Sequence, residues 1–544
     1  MLPLEGGEAR ELVKRKRAVA ACEPSPDGRY LAFLAPDEPT EDDERREKER
    51  DDPDVYGERW KYGRLHLLDL ASSAVTTLPT GDVHVYDLAW SPDGRAVAYL
   101  ACATPDLDDR ERSRLYVVEV ESPTPRRLAS TNGHTFGLTW SGDGARILYV
   151  SATEPTPQSS FAVFTTDPTD GTSKAVGPAA DEPACGLEVS PVPADSRVVV
   201  AIARGLSTAL EWLDPTTGER ADLFAYPAGD VGPFAVGTRQ GETVLAAVLS
   251  SGDSPPELFV GPPDHLQPVT DHGARLEGYP FGRQEAFYWT APDGLALDGL
   301  LIRPQNPPTT PRPTVVLVHG GPYGRWEQGW NLHWPNWAQL LALRGYAVLL
   351  PNPRGGMGHG NAFAKAALGD VGGADFRDVM SMVDAAIERG IADPDRLAIG
   401  GWSQGGFMTA WAVSQTTRFR AGVMGAGPSD WGMMTLTSDM PTFEAALGGD
   451  KPWDGPGPHR ADQLSPISFA RAVRTPLLIL HGRDDRRVPV SQAIGFHRAL
   501  REVGVPVELV IYPREGHGIA EREHQRDLLR RVVAWLDRWM PPGD

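Results

Sequence analysis

The chain has 544 residues, 41% of them hydrophobic, and a formal net charge of −20. That length favours two domains over one, and the acidic balance argues against nucleic acid or an anionic membrane surface as a partner. Cys22, Cys102 and Cys185 are its three cysteines, too few for a disulfide framework, so a reducing cytoplasm is the expected compartment.

In chain order, residues 1–17 form a segment before the first repeat. Lys14-Arg15-Lys16-Arg17 and the apolar Ala18-Val19-Ala20-Ala21 after it faintly mimic an export signal, but the apolar stretch is far too short. No run is long enough for a transmembrane helix. A four-residue turn signature then recurs: Ser25-Pro26-Asp27-Gly28, Ser91-Pro92-Asp93-Gly94, Ser141-Gly142-Asp143-Gly144 and a degenerate Ser190-Pro191. Each of the first three leads into an alternating or apolar run such as Tyr30-Leu31-Ala32-Phe33-Leu34. Asp-Gly supplies the positive φ of a tight hairpin, and a fixed period of this size marks four-stranded β-propeller blades. The span 18–275 is expected to hold six to seven of them. Within it, residues 41–50 are ten consecutive charged residues, read as a solvated loop or helix. A second reading places them near an active-site cleft, holding a substrate ammonium.

The repeats give way near 271–284, and 276–544 reads as a second domain. Phe287-Tyr288-Trp289 and the run Leu297 to Ile302 flank Ala291-Pro292-Asp293-Gly294, predicting a hairpin. Strands and helices then alternate, which argues for a mostly parallel sheet covered on both faces. The helix predicted over 521–539 carries Leu528, Val532, Trp535, Leu536 and Trp539 at helical spacing, a core stripe.

Chemistry enters at Gly401-Trp402-Ser403-Gln404-Gly405, a G-x-S-x-G pentapeptide between the apolar Leu397-Ala398-Ile399 and a helical stretch over 407–413. Strand, turn and helix in that order are what a nucleophile elbow requires. Downstream, the strand Leu477-Leu478-Ile479-Leu480 runs into His481-Gly482-Arg483-Asp484-Asp485, and the strand Val507 to Ile511 runs into Gly516-His517-Gly518. An acid and then a histidine, each after a later strand, is the α/β-hydrolase order. Ser403 is the nucleophile and His517 its base; Asp484 and Asp485 both suit the acid, and spacing does not choose between them. His481 is read as structural, and His319, His359, His497 and His524 as packing or surface. Upstream, the strand Thr314 to Val318 ends in His319-Gly320-Gly321-Pro322, where a bare backbone N–H, Gly321 in preference to Gly320, can join that of Gln404 as oxyanion donor. Trp402, Trp431, Met433 and Met434 are candidate pocket walls. No spaced His/Cys cluster suggests a metal, and the chemistry needs no cofactor.

With Asn352-Pro353-Arg354-Gly355, Ser465-Pro466 and Val488-Pro489 in the same order, this set resembles the catalytic domain of the prolyl oligopeptidase family of serine peptidases, nearest its acylaminoacyl-peptidase branch. The resemblance implies Asp485 as the acid and Arg487 as a substrate-binding residue. It also implies an N-terminal segment packed back onto the hydrolase, and a propeller that admits only short peptides or small amides. Homo-oligomers, common among relatives, are implied too. No Glu-Glu pair occurs, which disfavours the dipeptidyl-peptidase branch. The expected architecture is an N-terminal all-β propeller followed by a C-terminal α/β-hydrolase domain. The expected activity is that of a serine exopeptidase, with a dedicated amidase or esterase acting on an aminoacyl small molecule as the alternative.

Overall fold

The computed structural model describes residues 1–2, 5–179, 181–189, 196–305 and 310–542. The degenerate repeat at Ser190-Pro191 lies outside them. Five four-stranded antiparallel sheets come first, each a meander of four strands consecutive in sequence. Their first strands are Ala21–Pro24, His84–Trp90, Thr135–Trp140, Ala184–Val189 and Gly229–Arg239.

The repeated motif explains the turn that opens the first three sheets. In each, the Asp carboxylate accepts from the Ser hydroxyl two residues earlier at 2.6 Å and from a backbone N–H two residues later. The Ser oxygen in turn accepts the N–H that starts the second strand, and the Gly that follows Asp has φ near +70°. Trp90 and Trp140 precede two of these turns, and their indole N–H groups donate to the carbonyls of Glu23 and Ala89 in the preceding sheet. The same short stretch therefore makes a hairpin and a sheet-to-sheet tie.

Four apolar cores sit between consecutive sheets. Leu34, Leu65, Trp90 and Tyr99 join the first sheet to the second, and Leu100, Leu115, Trp140 and Tyr149 join the second to the third. Val150, Val163, Val198 and Ile202 form the next core, and Val199, Leu210, Leu245 and Leu249 the last. Among the described residues no such core joins the fifth sheet to the first. The other face of the first sheet (Phe33, Ala35 and Leu68) is instead covered by Leu12 and Val13.

This corrects one expectation. Among the described residues the blades number five, not six or seven, because residues counted towards extra blades are spent in long connections such as 37–62 and 103–113. Of the N-terminal segment, Leu12 and Val13 pack on the first sheet, whose apolar face has no neighbouring blade among the described residues. Arg15 and Lys16 fix the segment there through Glu38. The charged run forms an exposed helix, Glu41–Glu49, capped by Thr40, with ion pairs from Asp43 to Lys61 and from Glu44 to Lys16.

The second half is one eight-stranded sheet. Its strands in chain order are β1 (Arg283–Thr290), β2 (Ala296–Arg303), β3 (Arg312–Val318), β4 (Ala347–Pro351), β5 (Ala392–Trp402), β6 (Phe419–Gly425), β7 (Leu477–Gly482) and β8 (Val507–Tyr512). They lie side by side as β1-β2-β4-β3-β5-β6-β7-β8, with β1 and β2 antiparallel and the strands from β4 onward parallel. Buried side chains alternate between the faces: Val316, Val318 and Ile399 on one, Val315, Leu317 and Ala398 on the other. Helices cover both, and Arg522–Trp539 does so through Leu528, Val532, Trp535 and Leu536. This is the α/β-hydrolase order, and the chain as a whole is a β-propeller followed by an α/β-hydrolase domain.

The two halves meet along one edge of the array. In and beside the connection from the second to the third strand of sheets two to five, the chain meets the hydrolase and bonds to it. Asp108 accepts from the Thr442 N–H, Gln158 donates to the Gly355 carbonyl at 2.8 Å, and Ser250 accepts from the Trp330 N–H. Arg325, only 2% exposed, donates to the carbonyls of Gly205 and Ser207 and to the Thr208 hydroxyl at 2.7–2.8 Å. Removing that guanidinium takes a donor from two half-buried carbonyls and from the buried Thr208 hydroxyl. Arg325→Ala is expected to cost about 2–4 kcal/mol, read as a lower thermal unfolding midpoint of the full chain, with Arg325→Lys restoring little because the fork geometry is lost.

Candidate active site

At the end of β5 the chain reverses into the helix Gln404–Gln415 within one residue, Ser403, whose φ of 60° and ψ of −119° no ordinary side chain prefers. The reversal is possible because neighbouring backbone comes against it. A Cβ on Gly401 would lie 2.4 Å from the Val318 carbonyl oxygen, and one on Gly405 would lie 2.0 Å from the same atom. Two glycines of the pentapeptide are thus required by β3 as well as by the turn. The Ser403 N–H donates to the Gly425 carbonyl at the end of β6, so three adjacent strands hold the serine in place.

The loops after β7 and β8 complete the constellation. His517 Nε2 lies 2.9 Å from Ser403 Oγ, and its Nδ1 lies 2.8 Å from an Asp485 carboxylate oxygen. Facing a carboxylate, Nδ1 carries the hydrogen, which leaves Nε2 free to accept from the serine. The other Asp485 oxygen accepts from the Val488 N–H at 3.0 Å. Burial by itself would raise the Asp485 carboxyl, but hydrogen bonds from His481 and His517 outweigh it and hold the group at about 2. The neighbouring Asp484 carboxylate is exposed, and its N–H donates to the Glu515 carbonyl. Of the two candidate acids, the structure brings Asp485 to His517 and turns Asp484 outward.

Three groups support this constellation, His481 as a structural residue and Glu515 and the Trp402 indole with no signal for that role in the sequence. His481 is fully buried, with Nε2 2.7 Å from the Val488 carbonyl and 3.3 Å from the Asp485 oxygen that also meets His517. Glu515, also buried, accepts from the N–H groups of Ala520 and Glu521 and from His524, closing the loop that carries His517. Trp402 donates its indole N–H to the His517 carbonyl at 2.8 Å, tying the nucleophile turn to that loop. His524, read as packing or surface, is a strut of the histidine loop.

Two cavities open on Ser403. The first, about 50 Å³, includes Gly321, Gln404, Trp431, Phe443, Glu444 and Arg487 in its lining. Gln404 is the first residue of its helix, so its N–H has no acceptor in a preceding turn; with Gly321 beside it, two backbone donors are available to an oxyanion. Arg487 is held in an ion pair with Asp439 at 2.7 Å, beside the wall formed by the helix Pro441–Gly448. Burial pushes the Glu444 carboxyl up to about 8, opposed only in part by Arg487. The second cavity, about 340 Å³, is walled by Trp326, Trp334, Trp402, His517 and Gly518.

Among the proposed pocket residues, Trp431 and Arg487 come to the first cavity and Trp402 to the second. Met433 and Met434 line neither. Met434 lies one turn beyond Trp431 on the helix Trp431–Thr437 and is buried in the sheet core, which displaces the expected methionine wall. Phe443 and Glu444 take that place from a helix the sequence had not marked.

Residues 332–542 match the sequence profile of the prolyl oligopeptidase family. That match covers most of the second half of the chain. Among curated relatives, a Bacillus subtilis protein, "Uncharacterized peptidase YuxL", is 34% identical over 55% of this chain and 46% of its own length. The acylamino-acid-releasing enzyme of Rattus norvegicus is 30% identical over 63% and 49%. The chain thus spans about half the length of the curated relatives it matches. The fold extends further: a solved acylaminoacyl peptidase of Pyrococcus horikoshii superposes with a TM-score of 0.81 at 21% identity, covering 100% of this chain and 85% of that one.

The folded Asp485 carboxyl titrates below the ordinary aspartate value of about 3.9. Its contribution to stability is therefore complete above about pH 4 and is lost as the pH falls towards about 2. Asp485→Asn is expected to abolish that loss in acid unfolding curves.

Proposed function

We propose that this prolyl oligopeptidase family chain is a serine peptidase that releases residues from the amino end of short peptides or small amides through an acyl-enzyme. The observation that carries the reading is the unbroken line of hydrogen bonds from Asp485 through His517 to Ser403 Oγ, which opens on a cavity lined by Gly321 and Gln404. Ser403 attacks the substrate carbonyl as His517 Nε2 takes its proton. Negative charge developing on the carbonyl oxygen is met by the N–H groups of Gly321 and Gln404. The imidazolium, stabilised by Asp485, gives its proton to the departing amine, and the same histidine then activates a water that hydrolyses the ester on Ser403. Similarity to the acylamino-acid-releasing enzyme of Rattus norvegicus supports an exopeptidase that accepts a blocked amino end.

In this reading residues 18–275 screen the cleft and 276–544 carry the chemistry. The Gly205–Arg325 bond and the buried Gln158–Gly355 bond support a fixed seat for the screen. Three free cysteines support a cytoplasmic site of action, and among the described residues no helix is long and apolar enough to cross a membrane.

Alanyl p-nitroanilide assayed with a free and with an N-acetylated amino group tests the proposal. Faster release from the acetylated form is expected, with Ser403→Ala lowering kcat by a factor on the order of 10⁶ and Asp485→Asn by about 10⁴. Turnover that survives in Ser403→Ala would overturn the mechanism, and a preference for the free amine would move the assignment to an aminopeptidase.

A further inference from the structure

The two cavities beside Ser403 have only that residue in common, and each carries a different part of the machinery. The small one holds both oxyanion donors, Gly321 and Gln404, and not His517; the large one holds His517 and Gly518 and neither donor. Reaction chemistry assigns sides to them. The carbonyl oxygen of the substrate must turn towards the two N–H donors, so the acyl residue lies against the small cavity. The departing nitrogen must receive a proton from His517 Nε2, so whatever is attached to it leaves along the side where His517 stands.

Resting on the peptidase reading above, we infer that the tryptophan-walled cavity is the leaving-group site, and that the preferred substrates join a short acyl residue to an amine bearing an aromatic or large aliphatic group. At about 340 Å³ against about 50 Å³, the room is on the leaving side. The walls suit an apolar occupant. Trp326 and Trp402 spend their indole N–H groups on the carbonyls of Leu317 and His517, so ring surface is what they contribute to the cavity. Trp334 meets Trp402 edge-on, with ring centroids 4.8 Å apart. Its ring also stands 3.7 Å from where a Cβ on Gly518 would be, immediately beside the catalytic histidine. An aromatic group on the departing amine would find three indoles to pack against, in the edge-to-face geometry such rings favour. The acyl side offers less space, closed by Trp431, Phe443 and Leu447.

The test uses the full chain and the series acetyl-Ala-X-amide, with X as Gly, Leu or Phe. kcat/KM is expected to rise from Gly to Phe by ten- to a hundredfold, on the order of what burying one large apolar side chain supplies, whereas enlarging the acyl residue from Ala to Phe should lower it. Trp334→Ala should shrink the Phe-to-Gly ratio. Acetyl-Ala methyl ester, which has almost no leaving group to bind, separates the two levels of the argument. When the ester is hydrolysed, added Phe-amide should intercept the acyl-enzyme far better than Gly-amide. Ester turnover with equal interception by both amines, or with no preference along the X series, would overturn the leaving-group assignment alone. No Ser403-dependent turnover of the ester would overturn the peptidase reading beneath it.

Discussion

Backbone crowding at the carboxyl end of β3 and β5 is the constraint on which the active site depends. The Val318 carbonyl sits where side chains on residues 401 and 405 would have to go, and the Gly425 carbonyl stands 2.3 Å from the place of a Cβ on Gly406. Packing this close costs the chain conformational freedom at each glycine and holds Ser403 at a positive φ. What it secures is position. The hydroxyl is fixed relative to β3, whose extension carries Gly321, and relative to β6, which leads to the cavity wall at Trp431.

The remaining members of the site lie on loops, and loops need separate restraint. Several bonds supply that restraint here. The Trp402 indole reaches the His517 carbonyl, the Asp484 N–H reaches the Glu515 carbonyl, and His481 bridges Asp485 and Val488 within the acid loop. Burial makes these bonds count, because a polar group left unpaired in such a place costs the full penalty of its lost hydration. His517 is thus held 2.9 Å from Ser403 and 2.8 Å from Asp485 by bonds that lie behind them.

The Ser403 turn, the place of His517 and the hydrolase sheet were legible because each has a local cause: a turn that needs glycine, a fixed chain order, and strands with unbroken apolar burial. The propeller was legible for the same reason, through a Ser-x-Asp-Gly turn whose hydrogen bonds close within five residues. Those turns lie at the end of the sheets away from the hydrolase, while the connections that meet it vary in length and sequence. Blade count suffered accordingly, since 37–62 and 103–113 consume residues without adding strands. The cavity was the least legible part. Glu444 and Phe443 come to Ser403 from a short helix with no motif, and Met434 is drawn into the core by its place one turn beyond Trp431. The capping of the first sheet by Leu12 and Val13 was equally invisible, because it answers to a missing neighbour rather than to any pattern of its own.

That cap changes the mechanics of the first half. In a ring every blade has two neighbours, so releasing any one of them breaks two interfaces at once. In the array seen among the described residues, with four cores between five sheets, the first sheet shares a core with only one other sheet. Stability in such an arrangement is close to a sum over nearest-neighbour contacts, and opening starts at the end with least to lose. The bonds to the hydrolase run from sheets two to five, through Asp108, Gln158, Gly205 and Ser250. Fraying of the first sheet and its N-terminal strap can therefore proceed as a local event, with Ser403, His517 and Asp485 still seated on a clamped scaffold.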